Sequence, residues 1–139
     1  MSVKENKKLI HPLYNLYNRH ELDACNELFS SDRVGHLSDI EITLEENKQF
    51  DVKMLAAFPD LNITLHNMIA EGDKVAFQVH LKATHTGAFM GAPPTGMKVD
   101  ITNTHIVQII GNKIVNWWGT TEFPRLMQQL RVTSDQSMN

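Results

Sequence analysis

The sequence predicts an α+β fold in which helices come first and a curved antiparallel sheet follows. Two observations carry this prediction. Apolar residues recur every three or four positions over residues 1–58, as one buried helix face requires, whereas residues alternate in character over residues 61–119. Helices that cover one face of a sheet make a two-layer domain. The 139 residues, 42% hydrophobic and 21% charged, fit a single globular domain of this kind.

The helical part contains three amphipathic stretches. The first two cover residues 9–17 and 22–29, and Pro12 requires that the first helix either starts near His11 or kinks there, because proline inside a helix removes a hydrogen bond. The third covers residues 45–58 and ends before a proline. We expect residues 30–42, between the second and third stretches, to be a loop.

Four strand-like segments rich in Val, Ile, Thr, Phe and Trp follow the helices. They cover residues 62–70, 74–86, 97–110 and 113–118. Turn residues at 71–73 and 111–112 suit hairpins, so these strands should be antiparallel neighbours in chain order. The longer connection 87–96 holds a proline pair that does not fit a central strand. A short helix over 123–131 and a tail over 132–139 complete the predicted domain.

Composition and charge exclude several classes of function. Thirteen Lys and Arg against 16 Asp and Glu give a net charge of −3 without a basic patch, so we expect no nucleic-acid partner. No apolar run reaches the roughly 18 residues of a membrane helix, and no apolar signal segment follows Met1. We therefore expect a cytoplasmic protein that does not bind membranes. Cys25 is the only cysteine, which excludes an internal disulfide.

The sequence lacks the motifs of metal and nucleotide sites. Its seven histidines are scattered and form no His-Glu-x-x-His pattern. Gly87, Gly91 and Gly96 are too irregularly spaced for a phosphate-binding loop. We expect neither a metal nor a cofactor.

The segment 97–110 has the pattern of a ligand pocket. Its odd-numbered residues lie on one mostly apolar face that contains two adjacent polar residues, Asn103 and His105. A few convergent polar groups among apolar side chains are typical of sites that orient an apolar ligand. Histidine in such a place is suited to proton transfer or to polarising a carbonyl. A core histidine hydrogen-bonded to a neighbour would give the same pattern.

Apolar residues nearby complete the candidate ligand-binding set. Val107 continues the same strand face, and Phe77 belongs to the uniformly apolar face of the preceding strand, whose simplest interpretation is core. Trp117 and Trp118 occupy successive strand positions and must face opposite sides of the sheet. We therefore expect one of them, Trp117, to line a cavity.

Four blocks between residues 58 and 118 carry a family resemblance. They are Phe58-Pro59-Asp60-Leu61, Ala70-Glu71-Gly72-Asp73-Lys74-Val75, the run from Thr84-His85-Thr86-Gly87 to Pro93-Pro94-Thr95-Gly96, and Asn112-Lys113-Ile114-Val115-Asn116-Trp117-Trp118. In these blocks the chain resembles the SnoaL-like polyketide cyclases and ester cyclases of the nuclear transport factor 2-like superfamily. The resemblance implies a conical α+β barrel of the cystatin-like type that encloses an apolar cavity, commonly in a homodimer packed through the sheets.

The resemblance also implies chemistry without metal or cofactor. In such cyclases a base removes a proton from a methylene group between carbonyls, and an intramolecular aldol reaction closes a ring. The family's histidine corresponds to His105, whereas its acid/base aspartate corresponds to Gly119, which has no side chain. Glu122 is one substitute for that aspartate, although a carboxylate at a helix start is also common on structural grounds. The other is His105, acting alone or with Asp100 or His36. His36 lies where relatives carry a cavity histidine.

Two hypotheses follow. The first is a cyclase, isomerase or lyase that acts on a small apolar, polyketide-like carbonyl compound, with His105 and Glu122 as catalytic residues. The second is a non-catalytic protein on the same scaffold that binds a small molecule or dimerises, because Gly119 replaces the acid/base aspartate.

Overall fold

The computed structural model describes residues 3–37, 40–89 and 91–119. Over these ranges three short helices come first, followed by two strands, a fourth helix and four more strands. The helices are α1 (Val3–Lys7), α2 (Ile10–Asn18), α3 (Leu22–Asn26) and α4 (Leu44–Ala57). The strands are β1 (Phe29–Leu37), β2 (Ile40–Thr43), β3 (Asn62–Glu71), β4 (Lys74–Thr84), β5 (Lys98–Ile110) and β6 (Lys113–Gly119).

All six strands belong to one sheet with the order β2-β1-β6-β5-β4-β3. Strands β3 to β6 are antiparallel neighbours in chain order, as the sequence predicts. Strand β1 pairs parallel to β6, and β2 pairs antiparallel to β1. The predicted α+β fold is confirmed, with a curved mixed sheet that does not close on itself.

The prediction of a loop over residues 30–42 is wrong, because most of this segment forms β1 and β2. Strand β1 contains Ser, Asp, Arg and Gly, which have low intrinsic preference for strands. Its partners lie far along the chain, where Val34 pairs with Asn116 and Gly35 pairs with Trp117. Pairing with a distant strand therefore overrides the local preference.

Pro12 lies in the first turn of α2, which begins at Ile10. The first backbone N–H groups of a helix have no partner within the helix, so a proline in the first turn removes no hydrogen bond. Of the two predicted alternatives, the structure shows a helix that starts close to His11.

Helix α4 is capped at its first residue by a reciprocal pair of hydrogen bonds. The Thr43 hydroxyl accepts from the Glu46 N–H at 3.1 Å, and the Glu46 carboxylate accepts from the Thr43 N–H at 3.0 Å. Such a capping box satisfies two N–H groups that the helix itself leaves unpaired. It fixes the start of α4 next to the sheet edge formed by β2.

The end of α4 is held by the residues that follow β4. The carbonyl of Ala57 accepts from the N–H groups of Thr86 and Gly87, at 3.1 and 3.0 Å. The Phe58 ring lies against His85, with ring centroids 5.3 Å apart. The Thr-His-Thr-Gly block thus anchors α4 over the sheet.

The core lies between the helices and the inner face of the sheet. Alternate residues of β4 and β5 point into it, which gives each strand the alternating burial expected for a sheet covered on one side. The most buried apolar side chains among the described residues are Ile10, Ala57, Phe58, Val75, Phe77, Val79, Phe89, Val99, Val107, Ile109 and Ile114. No helix in the described ranges is long and apolar enough to span a membrane. The predicted helix 123–131 and tail 132–139 lie outside the described residues.

Gly87→Ala should separate α4 from the sheet. A Cβ atom at residue 87 would lie 2.4 Å from the Ala56 carbonyl oxygen, a backbone atom that cannot move aside cheaply. We expect a loss of about 3 kcal/mol in the free energy of unfolding and a fall in Tm of roughly 10 °C, measured by thermal and urea denaturation. The control is Gly72→Ala, whose Cβ meets no atom within 4 Å and whose positive φ costs about 1 kcal/mol. Equal losses in both variants would contradict this account.

Candidate functional site

A cavity of about 550 Å³ lies between the helices and the inner face of the sheet. Most of its lining is apolar, with side chains from α2, α3, α4 and all six described strands. The described side chains with nitrogen or oxygen atoms that line it are Tyr14, Tyr17, Asn26, Arg33, Glu46, Asn47, Asp51, Asn103, His105 and Trp117. The cavity therefore has polar groups on two walls, one formed by the sheet and one formed largely by the helices.

Pairing of β5 with β6 builds the sheet wall. In β5 the odd-numbered residues face inward, so Asn103 and His105 both line the cavity, as the alternation in the sequence predicts. His105 pairs with Gly119 and Val107 pairs with Trp117. Paired residues share a face of the sheet, so Trp117 also reaches the cavity.

His105 is held in a single orientation by its neighbours. The indole Nε1–H of Trp117 donates to Nδ1 of His105 at 3.1 Å, which assigns the imidazole proton to Nε2. The Phe77 ring packs against the same imidazole at a centroid distance of 5.7 Å. Burial lowers the pKa of His105 to about 4, because a charged imidazolium loses its hydration here. At neutral pH the ring is uncharged, with its proton on Nε2.

Gly119 provides the space in which the His105 ring lies. A Cβ atom at residue 119 would lie 2.6 Å from Nδ1 and 3.1 Å from Cε1 of the imidazole. Any side chain there would displace the ring from Trp117. The glycine and the hydrogen-bonded imidazole are therefore structurally coupled.

Asn103 contributes a hydrogen-bond acceptor that has no donor in the described part of the chain. Its Oδ1 is buried and has no partner among the described residues. Leaving a buried acceptor unpaired costs about 1–3 kcal/mol, and a donor on a ligand would remove that cost. Asn103 is therefore suited to orient a bound molecule.

Asp51 is the principal acidic group of the opposite wall, and sequence reasoning missed it. It lies on α4, where Asn47 Nδ2 donates to its Oδ2 at 2.9 Å. The Tyr17 hydroxyl on α2 makes a longer contact of 3.4 Å with Oδ1. Burial raises the pKa of Asp51 to about 7, against the smaller opposing effects of Tyr17, Arg33 and Asn47. One signal was available in the sequence, since Asp51 lies one turn from the inward-facing Met54.

Arg33 brings a buried positive charge to the same part of the cavity. Only 3% of its surface is exposed, and its guanidinium lies 5.0 Å from the Phe29 ring centroid. Burial lowers the pKa of Arg33, whereas the carboxyl of Asp51 raises it. Within the described part of the chain, no carboxylate forms an ion pair with Arg33.

Three predicted ligand-binding residues do not line the cavity. Phe77 and Val107 are 1% and 0% exposed and belong to the core, where Phe77 supports the His105 ring. His36 stacks on Trp118, with ring centroids 5.4 Å apart. Because Trp117 faces the cavity, Trp118 and His36 lie on the outer face of the sheet. The parallel pairing of β1 with β6, which the sequence did not reveal, decides the side on which His36 lies.

Two further expectations concern Glu122 and a metal site. Glu122 lies outside the described residues. Among the residues that are described, no three His, Cys, Asp or Glu side chains are grouped closely enough to hold a metal ion.

A family model supports the sequence resemblance. The model for the SnoaL-like polyketide cyclases matches residues 7–130. The chain belongs to this family. No curated protein is similar enough to give a match.

Solved structures of three other proteins share the fold. AclR of Streptomyces galilaeus, a candidate hydroxylase, superposes with a TM-score of 0.85 at 30% identity, over 94% of this chain and 83% of AclR. IdmH of Streptomyces antibioticus, a candidate polyketide cyclase, gives 0.78 at 27% identity, over 90% and 97% of the two chains. A SnoaL-like protein of Jannaschia sp. CCS1 gives 0.80 at 21% identity, over 91% of each chain.

The raised pKa of Asp51 and the lowered pKa of His105 should give opposite pH dependences of stability. Between pH 4 and 7 folded Asp51 holds a proton that the unfolded chain releases, so its contribution decreases as pH rises. Between pH 4 and 6.5 the unfolded chain protonates His105 and the folded protein does not, so that contribution increases with pH. Urea denaturation from pH 4 to 8 should show Asp51→Asn gaining stability over wild type as pH rises. His105→Gln should gain as pH falls, and each change should be on the order of 3 kcal/mol.

Comparison with wild type at each pH cancels the titration of other groups, such as His85, whose pKa is also lowered by burial. If the free energy of unfolding of Asp51→Asn runs parallel to that of wild type across this pH range, Asp51 titrates in its usual range. Parallel curves for wild type and His105→Gln would show the same for His105.

Gly119→Ala should release His105 from Trp117. The added Cβ would overlap the imidazole, which has Trp117 and Phe77 against it. In ¹⁵N NMR of the imidazole, wild type should show the proton on Nε2, and the variant should show a mixture of tautomers. The control Gly111→Ala adds a Cβ in open space at a strained turn and should leave the imidazole signals unchanged. Unchanged His105 signals in Gly119→Ala would contradict the coupling.

Proposed function

We propose that this SnoaL-like protein is an enzyme that activates a small apolar carbonyl compound of the polyketide type by acid/base chemistry without a cofactor. The reaction class is that of a cyclase or isomerase, in which a carbon next to a carbonyl loses a proton. The observation that carries this proposal is the uncharged His105, held by Trp117 on the wall of an apolar cavity.

The size and lining of the cavity support a small apolar ligand. Its volume of about 550 Å³ falls within the range of roughly 300–1,000 Å³ that is usual for small-molecule sites. Apolar side chains from helices and sheet would bury the carbon skeleton. The unpaired Oδ1 of Asn103 would accept from a hydroxyl group of the ligand.

An uncharged His105 is suited to polarise a carbonyl rather than to remove a proton. Its pKa of about 4 makes the imidazole a weak base at neutral pH, and its unprotonated nitrogen, Nδ1, already accepts from Trp117. Its Nε2–H can donate to a carbonyl oxygen and donates more strongly as negative charge develops there in an enolate. Because Trp117 fixes the ring, little reorientation is needed during the reaction.

The names of the structural neighbours do not choose one reaction, since AclR is a candidate hydroxylase and IdmH a candidate cyclase. Carbonyl activation at His105 is the chemistry that the residues of this chain favour. The second candidate function is a protein that binds the same kind of molecule without turning it over. Gly119 favours this function, because a glycine provides no acid at position 119.

We also propose a homodimer, with the outer face of the sheet as the contact. Two side chains that share a row across this face, Ile69 and Ile106, are 70% and 41% exposed. Exposed apolar groups on a sheet face favour association with another surface. A cytoplasmic location stays a prediction from the sequence.

Exchange of α protons in an apolar ketone tests the enzymatic proposal without knowledge of the natural substrate. Wild-type protein in D₂O at pH 8 should accelerate deuterium uptake by 2-tetralone, measured by ¹H NMR. His105→Ala should lower the rate about 10²–10³-fold, as expected when one donor to an oxyanion is removed. The matched control is His66→Ala, since His66 is an exposed histidine of β3.

The outcomes separate the two candidate functions. If wild type does not accelerate exchange but is stabilised against heat by 2-tetralone, the protein binds without catalysis. Equal rates in His105→Ala and wild type would contradict the role of His105.

A further inference from the structure

The helix wall of the cavity contains a carboxyl group, and the reaction proposed for His105 still needs a base. An uncharged His105 can stabilise an enolate, but it cannot readily take the proton from carbon. Position 119 has no side chain to do so. The base must therefore come from elsewhere in the cavity.

We propose that Asp51 of α4 is the general base of this site and works opposite His105 of β5. This inference rests on the proposed function and assigns the group that removes the α proton. Both side chains line the same cavity, one on its helix wall and one on its sheet wall.

The contacts of Asp51 orient its carboxylate without neutralising it. Asn47 donates to Oδ2 at 2.9 Å and the Tyr17 hydroxyl approaches Oδ1 at 3.4 Å, so both oxygens have an uncharged neighbour. Among the described residues no Lys, Arg or His lies within 4 Å of Asp51 as an ion-pair partner. A carboxylate with neutral hydrogen bonds keeps more basicity than one in a salt bridge.

The groups that surround Asp51 set its basicity. On its own helix Glu46 also lines the cavity, and its carboxylate is engaged in the cap with Thr43. The other ionisable groups come from four elements: Tyr14 and Tyr17 of α2, Cys25 of α3, Arg33 of β1 and His105 of β5. Burial raises the pKa values of both tyrosines and of Cys25, so all three stay neutral near pH 7. Arg33 is the cation among them, and it lowers the pKa of Asp51 less than burial raises it.

A base with a pKa near 7 is well matched to proton abstraction at neutral pH, because about half of it is ionised there and the ionised form binds a proton well. An exposed aspartate, with a pKa near 3.9, would be ionised but a far weaker base. Burial of an unpaired carboxyl costs stability, and such groups are concentrated at functional sites.

The proton transfer balances with the groups that are present. An oxygen of ionised Asp51 takes the proton from the carbon next to the carbonyl, and the C–H electron pair becomes the C=C bond of the enolate. The carbonyl π pair moves to oxygen, which accepts the hydrogen bond from Nε2–H of His105. Asp51 then returns a proton to carbon or, in a ring closure, to the oxygen of the acceptor carbonyl.

Asp51→Asn tests this role, since asparagine keeps the size of the side chain and can keep both neighbours. The probe is again 2-tetralone in D₂O. In wild type the exchange rate, corrected for the buffer reaction, should rise with pH and level off with a midpoint near 7. Asp51→Asn should lower the plateau at least about 10²-fold. The control is Glu45→Gln, an exposed carboxyl on the same helix, which should match wild type.

A second variant separates chemistry from folding. Tyr17→Phe removes a hydrogen bond that favours the charged carboxylate, so the midpoint of the rate profile should move above 7. The midpoint for the Asp51 side-chain carbon in ¹³C NMR should move with it. A purely structural role for Asp51 would leave the midpoint of the rate profile where it is.

The outcomes distinguish this inference from the proposed function. Exchange in Asp51→Asn within twofold of wild type would overturn the role of Asp51 and leave that of His105 intact. A titration of Asp51 near pH 4 would overturn it as well. Wild-type protein without any exchange would count against the proposed function itself, and the assignment of the base would fail with it.

Discussion

The arrangement of the cavity depends on the hydrogen bonds of the Ala57 carbonyl. This carbonyl accepts two hydrogen bonds, from N–H groups of the segment after β4, while the capping box at Thr43 holds the other end of α4. Asp51 lies between these two fixed ends, so its position relative to the sheet is set by both. Gly87 permits the close approach, because any Cβ there would meet the Ala56 carbonyl. The Thr-His-Thr-Gly block therefore acts on the site by positioning a helix.

Strand pairing supplies the other half of the arrangement. The hairpin of β5 and β6 brings Asn103, His105 and Trp117 to one face. Donation from the indole to Nδ1 then fixes which nitrogen of His105 carries the proton. Gly119 leaves the space that the ring needs, so the absence of a side chain and the orientation of His105 are two aspects of one contact.

Turn residues and residue alternation in the sequence correctly predicted those features of the fold that depend on residues close together in the chain. The turns at 71–73 and 111–112 predicted the hairpins, and alternation predicted that Asn103 and His105 face inward. β1 was missed because its stability comes from pairing with β6, far along the chain. Asp51 was missed for a similar reason. An aspartate on an amphipathic helix usually faces water, and Tyr17, which approaches it, lies on another helix.

Burial gives the two walls of the cavity complementary properties, because it shifts the pKa values of Asp51 and His105 in opposite directions. In water a carboxylic acid gives its proton to imidazole, since its pKa is the lower of the two. In this cavity burial raises the pKa of Asp51 to about 7 and lowers that of His105 to about 4, which reverses the order. Protonation of the pair therefore falls first on Asp51, and no ion pair forms with His105 as pH decreases. The carboxyl becomes the better base and the imidazole a neutral donor, which is the division of roles that enolate formation requires.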